Sequence, residues 1–160
     1  MIASARIPWG RVALQALVAG IAAGFTYDLY IWLTTVLPQH GSIAAVWQLD
    51  ASTVVGKIAL SDPGYAWLGV AIHALVSIGW AGGYAYLALR QRALNERWVA
   101  SGLLYGIVVY VVMQLILLAG NAFAPAPNPT LFLNAVVAHS AFFGLPVAFV
   151  VKILQADRAA

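Results

Sequence analysis

The sequence predicts an all-α integral membrane protein, a four-helix transmembrane bundle with a short interfacial helix in the first outer loop. Three observations lead there. Of 160 residues, 63% are hydrophobic and 8% charged, and the mean hydropathy is +0.89, far too apolar for a soluble domain. Four apolar runs, at about 12–37, 65–89, 98–120 and 131–151, are each long enough to cross ~30 Å of hydrocarbon. Backbone amides in lipid must bond within their own segment, so these runs are helices. Seven of the eight basic residues fall on one side: Arg6 and Arg11 before the first run, Arg90, Arg92 and Arg97 between the second and third, Lys152 and Arg158 after the fourth. Lys57 alone lies in the other loops, and this asymmetry predicts cytoplasmic N- and C-termini.

Each element follows in order. The first run resembles a secretory signal in having Arg6 and Arg11 ahead of it, but its length and the lack of a cleavage site after it predict a retained anchor. In the connection 38–64, Ser42 caps a helix through IAAVWQL, whose Ile43, Val46, Trp47 and Leu49 predict a piece lying on the outer membrane surface. SDPG at 61–64 then turns the chain into the second span. The short link 91–97 predicts that the second and third spans pack as an antiparallel hairpin. Three prolines in NAFAPAPNPT, residues 121–130, predict an extended crossing. In the fourth span Pro146 removes a donor and opens the backbone near Phe142, a kink. Trp9, Trp32, Trp47, Trp67 and Trp98 lie near helix ends, where indoles anchor at headgroups, and His40 sits beside Pro38 at the outer surface. No linker divides residues 1–160, which form a single transmembrane domain.

Several functions are excluded. The net charge of +3 and pI near 9.5 come from topology residues rather than a basic face, so nucleic acid is not a partner. Cysteine is absent, and with it any disulfide, thiol nucleophile or iron-sulfur site. There is no GxSxG, HExxH or P-loop, and NAF and NPT do not meet the glycosylation pattern.

What remains is a buried polar layer. At ~1.5 Å per residue, Asp28 lies about 15 Å, His73 and His139 about 12 Å and Gln114 about 10 Å below the outer surface, each on a different span. Steps of four align Gly20, Gly24 and Asp28 on one face, Gly69, His73 and Ser77 on a second, and Gly102, Gly106, Tyr110 and Gln114 on a third. Glycine faces let helices approach, so these side chains point into the bundle, with Gly20, Gly24, Gly102 and Gly106 as packing positions. The Gly20-xxx-Gly24 and Gly102-xxx-Gly106 pairs also form an internal echo, which close packing alone explains. A charge at the bilayer centre costs ~2.5–3.5 kcal/mol on insertion scales, so Asp28 needs partners.

Three readings compete. In the structural one, Asp28, His73, His139 and Gln114 bond to one another and to Tyr27, Tyr110 or Ser140, fixing helix register. In the second, the layer binds protons or ions and responds to external pH. In the third, His73 and His139 ligate a b-type haem, or His73, His139 and Asp28 hold a transition metal.

AGFTYDLY in the first span, LGVAIHALVSIGWAGGYAYLALRQR in the second, GLLYGIVVYVVM in the third and AHSAFFGLPVAFV in the fourth resemble the YagU-like family of four-span bacterial inner-membrane proteins. Asp28, His73, Tyr105, Gly106, Tyr110, Met113, His139, Gly144 and Pro146 lie on the family pattern, while Gln114 stands where members often have asparagine. The resemblance implies an inner-membrane helical fold and no particular reaction. The resulting expectation is a non-enzymatic inner-membrane protein whose Asp28, His73, His139 and Gln114 layer, with Tyr110 and Ser77, binds protons or a small polar ligand from the outer side. Alternatives are a redox subunit binding haem b, or an accessory subunit whose glycine faces join a homo-oligomer or larger membrane complex.

Overall fold

A computed structural model describes residues 7–119 and 128–156. Among these residues all regular structure is helical: α1 (Trp9–Ile31), α2 (Ile43–Val55), α3 (Ala66–Arg90), α4 (Arg92–Glu96), α5 (Trp98–Ala119), α6 (Pro129–His139) and α7 (Leu145–Ala156). Most of the expected crossing at 121–130, together with Arg6 and Arg158, lies outside the described residues.

With the π and 3-10 turns that extend them, five helical segments are long and apolar enough to cross a membrane: Trp9–Gln39, Ile43–Leu60, Pro63–Arg90, Trp98–Ala119 and Pro129–Gln155. This is the make-up of a multi-pass membrane protein. Counting apolar runs finds four, and the additional one is Ile43–Leu60. The sequence reading carries its helix only through Leu49, and the polar Asp50, Ser52 and Thr53 come next. The Ser52 and Thr53 hydroxyls are satisfied within the protein. Ser52 and Thr53 donate to the carbonyls of Leu49 and Asp50 at 2.6 and 2.7 Å, and Gln48 donates to that of Ala59 at 2.8 Å, folding residues 56–60 back onto α2. Gly56, at φ 77°, makes the reversal, a conformation glycine adopts without strain.

Glycine contacts set the helix pairs. Gly20 of α1 lies against the backbone of Ile78, and Gly24 against Ser77 and His73, so α1 and α3 run antiparallel. Gly102 and Gly106 of α5 pack on Gly144, Ala148 and the backbone of His139 and Ser140. A methyl group at Gly106 would overlap the His139 carbonyl and one at Gly144 would overlap the Gly102 carbonyl, so the approach of these helices requires glycine on both sides. Gly69 of α3 meets the Trp47 carbonyl of α2 in the same way, and one turn further on Asp50 meets His73. Both helices advance together between those contacts, so α2 runs beside the first half of α3 in the same direction.

The expected hairpin of the second and third spans is corrected here. Although joined by α4, helices α3 and α5 do not pack along their length. They meet through Tyr105, whose hydroxyl donates to the Trp80 carbonyl at 2.6 Å and whose ring meets Tyr84 edge-on at 5.0 Å. The small-residue faces of both helices are used elsewhere, that of α3 on α1 and α2, that of α5 on the α6–α7 segment. Bulky aromatics then hold the remaining faces apart.

Two helices widen before a proline. Trp32–Val36 and Ser140–Gly144 are π turns, closed by the amides of Leu37 and Leu145 bonding back to Trp32 and Ser140, and Pro38 and Pro146 follow. Proline lacks the amide hydrogen and its ring crowds the carbonyl four residues back, so the turn opens. The freed carbonyl of Phe142 accepts the Thr26 hydroxyl of α1 at 2.6 Å.

Candidate functional site

The site is assembled where α1, α2 and α3 meet. Nε2 of His73 lies 3.5 Å from Oδ1 of Asp28, and Nδ1 lies 3.2 Å from Oδ2 of Asp50. One imidazole thus separates two carboxylates from two other helices. The side chains of Asp28, Asp50 and His73 are only 22%, 24% and 18% exposed, so these contacts are poorly screened by solvent. Trp47 donates its indole hydrogen to Oδ2 of Asp28 at 3.4 Å. The helix-end indole assigned to headgroup anchoring is therefore turned inward. Ser77 is buried one turn along α3 from His73, beneath Gly24.

His139 joins this cluster through an aromatic ring rather than a bond. The Tyr27 ring packs against both imidazoles, 5.7 Å from His73 and 4.8 Å from His139, and Tyr110 meets His139 edge-on at 5.3 Å. The Nδ1 of His139 lies 2.8 Å from the Ala135 carbonyl, which only accepts, so Nδ1 carries the hydrogen and Nε2 is the available nitrogen. Ser140 bonds the carbonyl of Val136 on its own helix at 2.8 Å. Gln114 lines the same cavity from α5 but makes no hydrogen bond to Asp28, His73 or His139 among the described residues.

These side chains open onto a cleft between α3 and α5. One cavity of about 600 Å³ is lined by Tyr27, Asp50, His73, Tyr110, Gln114 and His139 among others. A second, of about 650 Å³, shares Asp50, His73, Val76, Trp80 and Met113 with it, so the two lie side by side. Asp28 does not line either cavity and stands behind His73.

The residues do not fit haem ligation through the two histidines. Both His73 nitrogens face carboxylates, which leaves neither free to ligate an iron, and the Tyr27 ring packs on both imidazoles. Nor do the donors converge on a point: Asp28 and Asp50 approach opposite nitrogens of one ring, and among the described residues no three His, Asp or Glu side chains are grouped to hold a metal ion.

Sequence reasoning missed Asp50, the second partner of His73. Its signal was a carboxylate four residues beyond the first turn of an apolar helix, Ile43–Val55, in a chain with only five acidic residues. A second polar group, between α1 and α6, was missed as well: Tyr30 donates to Asn134 at 2.6 Å, and the Asn134 amide donates to Thr35 at 2.7 Å and Thr34 at 3.1 Å. No family model, curated protein or solved structure matches the chain.

Proposed function

We propose that the chain is a non-enzymatic multi-pass protein of a bacterial inner membrane, of the YagU-like kind, whose polar layer binds protons or a small polar ligand from the outer side. Four segments cross the bilayer in this reading, with both termini cytoplasmic. Ile43–Leu60 enters beside α3, reverses at Gly56 and leaves on the side it came from. The fold-back of Ala59 onto Gln48 supports that reversal, and so does the parallel course of α2 along α3. The positions of the basic residues support the orientation.

One observation carries the functional reading: His73 is held between Asp28 and Asp50 at the wall of a cavity. Two carboxylates brought against one imidazole inside an apolar bundle cost solvation energy that packing alone does not require. A small cation or proton taken up there relieves it.

Trp47 reports on the cluster because its indole bonds Asp28. Tryptophan fluorescence of the purified protein is expected to change with pH across about 5 to 8, the range in which histidine switches charge, and Asp28→Asn is expected to remove that change. Indistinguishable titrations of parent and variant would overturn the reading.

A further inference from the structure

The cleft between α3 and α5 has a composition that selects its occupant. Among the described lining residues of both cavities there is no lysine or arginine, and Asp50 is the only carboxylate. Behind it Asp28 places a second carboxylate across His73. The walls away from Asp50 are apolar and aromatic, with Trp80, Tyr110, Met113 and Phe132 facing the space. Tyr110 and Phe132 meet edge to face at 5.8 Å and form one aromatic wall.

We propose that this cleft binds an amphipathic organic cation, its positive centre against Asp50 and its apolar body between Trp80, Met113, Tyr110 and Phe132. The proposal rests on the reading of the cluster as a ligand site and names the class of ligand. A cation over aromatic faces beside a partly desolvated carboxylate gains from both contacts, whereas an anion of the same shape meets the Asp50 carboxylate with no lysine or arginine among the described lining residues to offset it. A bare inorganic cation would use Asp50 but leave the apolar walls without a partner. A neutral lipid chain would use the walls and leave the charge uncompensated. Only a molecule with both features matches what lines the space, and either cavity, at about 600 or 650 Å³, is of the size drug-like ligands occupy.

The test uses the full chain in mild detergent and two probes of one shape and opposite charge, tetraphenylphosphonium and tetraphenylborate, in equilibrium dialysis. Saturable binding of the phosphonium at one site per chain is expected, about tenfold or more tighter than the borate after subtraction of detergent partition. Asp50→Asn is expected to erase the preference for the cation, and Trp80→Leu to weaken both ions together. Equal binding of the two ions to the parent overturns the proposal without any variant, so a folding defect in Asp50→Asn leaves it falsifiable. Retention of a phospholipid that the phosphonium does not displace, seen by native mass spectrometry, also overturns it. A pH-dependent fluorescence change that survives while phosphonium binding fails would reject the ligand class and leave the proton-binding reading standing.

Discussion

The Thr26 hydroxyl of α1 donates to the carbonyl of Phe142 at 2.6 Å, and that carbonyl is the one Pro146 cannot bond. A helix broken by its own sequence is completed by a side chain from its neighbour. Hydroxyl bonds to the Ala22 and Ala23 carbonyls at 3.1 Å are longer, so the single hydrogen serves Phe142. Thr26→Val is expected to cost about 1–2 kcal/mol by leaving that carbonyl unpaired in an apolar setting. In a Pro146→Ala background, where the backbone amide returns, the same change is expected to cost about 1 kcal/mol less. Denaturation midpoints of the four proteins in one detergent give the coupling directly.

Gly106 and Gly79 make a matched pair for packing. At Gly106 an added methyl group would overlap the His139 carbonyl, while at Gly79 nothing lies within 4 Å. Gly106→Ala is expected to destabilise by about 1–3 kcal/mol, in the range of overpacked cores. Gly79→Ala is expected to be neutral or stabilising, through helix propensity. Equal losses at the two positions would show that close approach of α5 to the α6–α7 segment contributes nothing.

Because the chain has no cysteine, single cysteines report topology without background. If Ile43–Leu60 enters and returns, His40→Cys and Asp62→Cys are both labelled by an impermeant maleimide from one side of sealed vesicles. If the segment crosses, the two are labelled from opposite sides. Val55→Cys, next to the reversal at Gly56, is expected to stay unlabelled from either side.

Absorbance spectra of the purified protein are expected to show no Soret band. The reason is the occupancy of both His73 nitrogens by Asp28 and Asp50. His73→Ala is expected to leave that spectrum unchanged, since no haem is lost with the imidazole.

Much of this was legible in advance. The step-of-four rows predicted which glycines face neighbours, because 3.6 residues per turn places such rows on one helix face, and Gly20, Gly24, Gly102 and Gly106 are all at close contacts. Pro146 was expected to free a carbonyl near Phe142, since proline acts locally. Depth matched Asp28 to His73, which lie 3.5 Å apart. Depth alone said nothing about lateral position, and for that reason Gln114 was grouped with residues it does not bond. Asp50 was hidden because α2 was read only through Leu49, short of the polar Ser52 and Thr53, whose hydrogen bonds, to Leu49 and Asp50, are made inside the fold. The separation of α3 from α5 was equally hidden, for a short link constrains helix ends and not the faces that meet.

The pairing of Tyr30 with Asn134 and of Thr26 with Phe142 joins residues 104 and 116 positions apart. At ~5–20 residues per second of synthesis, α1 waits roughly 5–20 s before those partners leave the ribosome. The indole of Trp47, only 19 positions after Asp28, is made far sooner. Biogenesis therefore has an order written into it: the N-terminal half can gather around its carboxylate early, while the last helix locks the assembly, and a nascent chain halted before that helix is the species a membrane quality-control protease would meet.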